Sequence, residues 1–199
     1  GRGQNSATLY TDDPEDIIFG PSLSPYNCQY ATIYGLSNLS YNYKVYSLSV
    51  MGYAAMGNAK INASGSSSNQ QYITAIGHRA LNKLGTTNSS NTVNGIYIGA
   101  GAGSGGAEID EAPTDNVVVG YNAMAGDNAS GSHNVFSGAH TGNGFTSTSA
   151  SYNTIVGSLF AGGTAAYNTI VGYGVYTKGN PDIKAMTAIG YGACNSVYG

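Results

Sequence analysis

Asn153-Thr154-Ile155-Val156-Gly157 and Asn168-Thr169-Ile170-Val171-Gly172 carry the same five-residue phrase, separated by a short polar stretch. Looser copies of this apolar run ending in glycine return about every 15 to 25 residues along the chain. A fixed phrase at such a period is typical of a repeat protein whose units stack on one another. The terminal glycines are Gly20, Gly35, Gly52, Gly77, Gly99, Gly120, Gly138, Gly157, Gly172 and Gly190.

The residues before each glycine alternate in character, as expected for a half-buried strand. Two positions before the glycine every residue is apolar or aromatic, which predicts one buried position per rung: Ile18, Ile33, Val50, Ala75, Tyr97, Val118, Phe136, Ile155, Ile170 and Ala188. Three positions before it a small hydroxylated residue recurs, as at Thr32, Ser49, Thr74, Thr154, Thr169 and Thr187.

The other repeated residue types have physical reasons as well. The glycine either takes a positive φ or lets another backbone approach closely. An asparagine precedes the strand at Asn116, Asn134, Asn153 and Asn168, where it can hydrogen-bond nearby backbone or form a ladder with the next rung. Tyrosine recurs directly after the glycine in several repeats. Alanine recurs three positions after the glycine, which indicates a face with little room: Ala55, Ala80, Ala102, Ala123 and Ala193.

Composition narrows the class of protein. The chain has 199 residues with 30 glycines, 17 tyrosines, no tryptophan and only 9% charged residues. The net charge of -3, with seven basic residues, argues against a nucleic-acid partner and an anionic membrane surface. No long apolar stretch or basic leader is present, so the sequence predicts no membrane insertion. Because the chain starts at Gly1, we expect it to be a processed piece of a longer protein.

The repeats predict an all-β parallel β-solenoid, or β-roll, of about ten to eleven short rungs. Residues 1–15 match no repeat, residues 16–56 form tyrosine-rich irregular repeats or a cap, residues 57–71 form a loop excursion, and residues 72–199 form the repeat roll. A thin roll would leave one face uncovered along its length, which favours a cyclic homotrimer. At about 4.8 Å per rung, Cys28 and Cys194 lie far apart and are either isolated thiols or links to a partner subunit.

Parts of the repeat resemble known fibrous proteins. Residues 153–157, 168–174 and 187–193 resemble the head repeats of trimeric autotransporter adhesins, and residues 116–123 (Asn-Val-Val-Val-Gly-Tyr-Asn-Ala) resemble the repeats of bacteriophage tail-fibre shafts. The resemblance implies a left-handed, intertwined trimer that projects from a virion or cell and contacts a surface receptor. The uneven spacing departs from the regular adhesin form and favours the fibre.

Recognition is expected outside the strands, because rigid rungs position loops whose sequence is free to vary. Loop hydroxyls, amides and tyrosines could bind glycans, or the loops could be solvated spacers. In the tyrosine-rich region, Tyr41, Tyr43 and Tyr46 are candidate receptor contacts. The alternative is that this region is an aromatic plug that closes the end of the stack.

Catalysis and cofactors find little support in the sequence. His78, His133 and His140 belong to no known nucleophile motif, and residues 99–106 lack the helix that a phosphate loop requires. We therefore predict no enzyme activity and no cofactor. Two acidic clusters are either calcium ligands or solvated turns, and neither has EF-hand spacing: Asp12, Asp13, Glu15 and Asp16, and Glu108, Asp110, Glu111 and Asp115.

These observations predict a structural and receptor-contact segment of an extracellular trimeric fibre, with a glycan or protein receptor and adjoining fibre segments as partners. The alternative is the head of a bacterial surface adhesin. A third class is an ice-binding solenoid, which needs a regular outward threonine array. In this chain Ile17, Val117 and Val135 interrupt that array.

Overall fold

The computed structural model describes residues 17–19, 28–35, 45–57, 60–61, 72–82, 85–86, 94–104, 114–125, 131–143, 151–158, 166–174 and 185–192. These residues contain no helix, and hence none long and apolar enough to cross a membrane. Twelve strands follow in chain order: β1 (Ile17–Phe19), β2 (Cys28–Tyr34), β3 (Val45–Met51), β4 (Lys60–Ile61), β5 (Tyr72–Ile76), β6 (Gly85–Thr86), β7 (Asn94–Ile98), β8 (Asn116–Val119), β9 (Val135–Ser137), β10 (Thr154–Ser158), β11 (Thr169–Tyr173) and β12 (Thr187–Ile189).

Ten of these strands form one parallel sheet in the order in which they occur along the chain, β1-β2-β3-β5-β7-β8-β9-β10-β11-β12. Two parallel neighbours need a crossover connection rather than a tight hairpin, so crossovers join the successive strands of this sheet. The predicted all-β class and the parallel β-solenoid are thereby confirmed. The short strands β4 and β6 pair separately, and β4 lies within residues 57–71, which we predicted to be a loop excursion.

The register keeps like residues opposite each other. Thr154 faces Thr169, and Gly157 faces Gly172, which is an offset of 15 residues. Ser49 faces Thr74, an offset of 25 residues, yet the strands on either side remain in phase. The variable stretches therefore change the length of the connection between rungs without shifting the side chains from one face of the sheet to the other.

The predicted buried column forms the centre of the core. Every described side chain two positions before the repeat glycine is at most 6% exposed, from Ile33 to Ala188. Its neighbours on either side along the strand point outward, as in the exposed-buried-exposed pattern of β12. The alanines after the glycine complete the core from the turn, since Ala55, Ala80 and Ala102 are fully buried.

The repeat glycine is required by both of the reasons suggested by the sequence. Gly157 has a φ of 145°, and a Cβ at this position would collide with the carbonyl oxygen of Gly172 in the next rung. The backbone N–H groups also connect the rungs here, because Gly190 donates to the carbonyl of Val171 at 2.9 Å. The glycine column is therefore a line of direct backbone contact between turns.

The asparagines form a continuous buried ladder, which is the second of the two arrangements that the sequence allowed. From Asn134 to Asn168, the backbone N–H and the side-chain Nδ2 of each asparagine both donate to Oδ1 of the asparagine in the preceding rung. The donor to acceptor distances are 2.9 and 3.2 Å from Asn134 to Asn116, 2.9 and 3.0 Å from Asn153 to Asn134, and 3.1 and 3.0 Å from Asn168 to Asn153. These side chains are at most 2% exposed, so the ladder satisfies polar groups that have lost water.

Replacing Gly157 with alanine should lower the free energy of unfolding by roughly 3 kcal/mol or more, because strain in φ adds to a collision with backbone that cannot move aside. The matched variant is Gly190→Ala. Gly190 has a similar φ of 131°, but no described atom lies within 4 Å of the added Cβ. Chemical denaturation of both variants measures the difference, and equal losses would show that the close approach contributes nothing.

Replacing Asn153 with alanine should lower the free energy of unfolding by roughly 3 kcal/mol, because two donors of Asn168 lose their acceptor in the core. Asn94→Ala is the control. Asn94 donates one side-chain hydrogen bond near the surface, to Asp115 at 3.1 Å, and its loss should cost less than about 1 kcal/mol. Similar denaturation midpoints for the two variants would contradict a structural role for the ladder.

Candidate functional site

The structure describes only part of the sites that the sequence predicted. Tyr41 and Tyr43 lie outside the described residues, and the backbone of Tyr46 pairs with Gln29 in the sheet. Gly20, Cys194 and both acidic clusters, apart from Asp115, also fall outside the described ranges. The described side chains that form the candidate surface fall into two groups, one at each end of the strands.

The first group of exposed rings lies in the turn that follows the repeat glycine. We call it the turn column, and it comprises Tyr53, His78, Tyr121, Tyr173 and Tyr191. Tyr53 stacks on His78 with ring centroids 5.6 Å apart, and Tyr173 stacks on Tyr191 at 5.4 Å. His78 thus occupies the position at which other repeats carry tyrosine, and its ring packs on Tyr53.

The second group lies at the opposite end of the strands, one position before the asparagine ladder and its counterparts. We call it the ridge, and it comprises Asn94, Asp115, His133, Tyr152, Tyr167 and Ala185. The last five of these residues have φ between 55° and 61°. This left-handed conformation turns the chain into the strand and is uncommon outside glycine, asparagine and aspartate.

Contacts run along the ridge from rung to rung. Asn94 Nδ2 donates to Asp115 Oδ1 at 3.1 Å, and the other oxygen of Asp115 lies 3.4 Å from His133 Nδ1. The ring of His133 stacks on Tyr152 with centroids 4.7 Å apart, and Tyr152 stacks on Tyr167 at 4.9 Å with an angle of 2° between the planes. The ridge is therefore polar at one end and aromatic at the other.

The ridge is open to solvent. The side chains of His133 and Asp115 are 42% and 47% exposed, and Tyr152 and Tyr167 are 50% and 60% exposed. The arrangement offers a carboxylate, an imidazole, phenol groups and ring surface in one line. Such a set can form hydrogen bonds and stacking contacts with a ligand.

The sequence did not single out the ridge. Its members share a position, immediately before the asparagine in four of the rungs, but they do not share a residue type. A signal was available in the shared position, because His133, Tyr152 and Tyr167 each lie five residues before the repeat glycine.

Comparisons of the chain with protein-family models, curated proteins and solved structures found no match.

The described histidines are all engaged with aromatic neighbours. His140 meets Tyr121 edge-on with centroids 5.2 Å apart, and His78 and His133 stack as described above. Within the described ranges there is also no group of three histidine, cysteine, aspartate or glutamate residues that could hold a metal ion. The contacts that the structure shows for these histidines are ring contacts, together with the approach of His133 to Asp115.

Tyr97 differs from the exposed tyrosines of the turn column and the ridge. It is fully buried, and within the described residues its hydroxyl lies near the Asn116 side chain without forming a well-aligned hydrogen bond. Glycines make room for it, since a Cβ at Gly95 would lie 2.6 Å from the ring and a Cβ at Gly103 would collide with the ring. Burial raises the pKa of Tyr97 to about 12, while the Asn116 side chain lowers it and the charge of Asp115 raises it.

The raised pKa of Tyr97 makes stability depend on pH in the alkaline range. The ordinary pKa of tyrosine is 10.0, so the unfolded chain loses this proton at a lower pH than the folded chain. The free energy of unfolding therefore falls as pH rises from about 10 to about 12. Tyr97→Phe should remove roughly 3 kcal/mol of this fall, because the difference between a pKa of 10.0 and one of about 12 corresponds to that free energy. Denaturation as a function of pH measures it, with exposed Tyr121→Phe as control. Parallel profiles for Tyr97→Phe and the wild type would contradict the prediction.

Proposed function

We propose that this chain is a structural and receptor-contact segment of an extracellular homotrimeric fibre, a bacteriophage tail fibre, built as a left-handed intertwined roll of ten to eleven rungs. The observation that carries the proposal is an apolar column on the outward face of the sheet, which the single chain leaves exposed. The resemblance of the repeats to tail-fibre and adhesin repeats supports the same architecture.

The outer column consists of the residues immediately before the repeat glycines, on the face opposite the core. Its exposed members are Tyr34, Met51, Val119, Val156, Val171 and Ile189, between 37% and 72% exposed. The register aligns them in one line with the half-buried Ile76 and Ile98, and the polar Ser137 interrupts this line between Val119 and Val156. The eight strand spacings from β2 to β12 make this line about 38 Å long.

An apolar line of this length favours association with identical chains. Monomeric proteins rarely leave a large contiguous apolar patch uncovered. A closed cyclic assembly places the same face of each chain on a common axis and covers all of them equally. Three rolls around one axis would also give a long, stiff particle, which suits a shaft that has to project a contact surface.

Recognition and support, rather than catalysis, suit the side chains at the surface. His78 and His133 stack on tyrosines, and His140 meets one edge-on, which gives each of these imidazoles a packing role. We propose a glycan or protein receptor on a cell surface, and adjoining fibre segments, as the partners of the trimer.

Two other functions remain as alternatives. The head of a bacterial trimeric adhesin would use the same roll, and a membrane-anchor barrel encoded downstream would distinguish it from a fibre. An ice-binding surface is favoured by Thr154, Thr169 and Thr187, which are exposed and in register, and by Thr32 and Thr74, which align through Ser49. Apolar Ile96, Val117 and Val135 replace threonine in the rungs between Thr74 and Thr154, and the absence of thermal hysteresis would exclude this function.

Light scattering of the full chain at micromolar concentration should give three times the mass of the chain. The double variant Val156→Lys and Val171→Lys should shift the mass toward that of the monomer, because it places two charges per chain in the proposed interface, where an unpaired charge is costly.

The control for this substitution is Tyr121→Lys, which adds a charge at an exposed position of the turn column, 57% exposed and away from the outer column. It should leave the mass unchanged. A monomeric wild type, or a double variant that keeps the wild-type mass, would contradict the proposed trimer.

A further inference from the structure

We propose that the ridge is a binding site for a neutral oligosaccharide, in which one sugar ring stacks on the outer face of Tyr167 above Ala185. This inference deepens the proposed receptor contact and rests on it. It assigns that contact to residues on the rungs themselves, outside the tyrosine-rich region in which the sequence placed the candidates.

Within the described part of the chain, the aromatic stack of the ridge ends at Tyr167 with one face of the ring uncovered. Tyr152 has rings on both sides, His133 on one and Tyr167 on the other. Among the described residues, the ring of Tyr152 is the only ring that contacts Tyr167. The next rung places Ala185 in the same column, bonded by its N–H to the carbonyl of Ala166 at 3.1 Å, and its methyl group is too small to cover a phenol ring.

The residue types on the ridge are unusual for the conformation that the position demands. Left-handed φ suits glycine, asparagine or aspartate, and a bulky residue is strained in this conformation. The ridge nevertheless carries His133, Tyr152 and Tyr167 in this conformation. Stacking between the rings offsets part of that strain, but it does not account for a half-exposed ring at the end of the stack.

The polar end of the ridge indicates which sugars would fit. The half-exposed carboxylate of Asp115 provides acceptors for sugar hydroxyls, about 14 Å from Tyr167 when three strand spacings are counted. An oligosaccharide of a few units can span this distance. The carboxylate of Asp115, in a chain of net charge -3, disfavours acidic sugars and favours a neutral glycan.

The sharpest test adds a ring instead of removing one. Ala185→Tyr should extend the stack over Tyr167, since Tyr152 and Tyr167 already occupy this conformation at φ of 61° and 60°. The probe is an array of neutral and sialylated oligosaccharides, followed by titration of the strongest neutral binder. The wild type should bind neutral members, and Ala185→Tyr should weaken that binding at least about tenfold, without lowering the melting temperature.

The matched control is Ser158→Tyr, which adds a ring beside Tyr173 in the turn column and should leave binding unchanged. Tyr167→Ala should weaken binding to a similar degree as Ala185→Tyr. Wild-type affinity in Ala185→Tyr, a preference for sialylated sugars, or no binding to any neutral oligosaccharide would overturn the proposal.

Failure of this inference can be told apart from failure of the fibre proposal. The mass of each variant by light scattering reports the trimer, and binding of the labelled wild-type trimer to intact bacterial cells reports a receptor. A trimer that binds cells but no neutral oligosaccharide would refute the glycan site alone.

Discussion

Direct contact between the backbones of successive rungs is the constraint on which the rest of the structure depends. At the repeat glycine the chain passes so close to the next turn that a Cβ at Gly157 would collide with the carbonyl of Gly172. Hydrogen bonds hold this approach on either side, through the parallel strands and the asparagine ladder. Because the contact recurs at the repeat glycine of successive rungs from Gly52 to Gly172, each rung fixes the register of the next.

Stacking in phase has consequences for every other position of the repeat. A residue at one point of a turn meets its equivalent in the next turn, so apolar residues join a continuous core and asparagines satisfy each other's amides. The same rule acts at the surface, where rings fall on rings and an apolar residue of the outer column falls on another. A long apolar face and a line of stacked aromatics are therefore products of the same geometry, and they suit assembly and recognition respectively.

The irregular rungs show how this geometry tolerates exceptions. Tyr97 fills a position that is aliphatic or small in most other rungs, and Gly95 and Gly103 leave the space that its ring requires. Gly95 stands opposite Asn116 in the register, and the same position is apolar in the two preceding rungs, at Leu48 and Ile73, so the ladder begins at Asn116. The strand pairing continues through this change from apolar residues to asparagine.

A good part of the fold could be predicted from residue types. The buried column, the small alanines of the turn and the parallel stacking follow from a phrase that repeats its chemistry as well as its spacing. The ridge could not be predicted in that way. Asp115, His133, Tyr152 and Tyr167 share no chemical type, and the separations between them vary with the lengths of the connections.

The sequence by itself determined the period, the inward and outward faces of each strand and the places where backbones must touch. These depend on local properties, namely side-chain polarity, side-chain volume and the conformational freedom of glycine. Only the tertiary structure decided which of the unlike residues come together: the ring of Tyr152 between His133 and Tyr167, the small Ala185 beyond it, and the buried hydroxyl of Tyr97. Those contacts join residues 15 or more positions apart, and they depend on the register between turns and on left-handed backbone at the ridge, which no short stretch of sequence specifies.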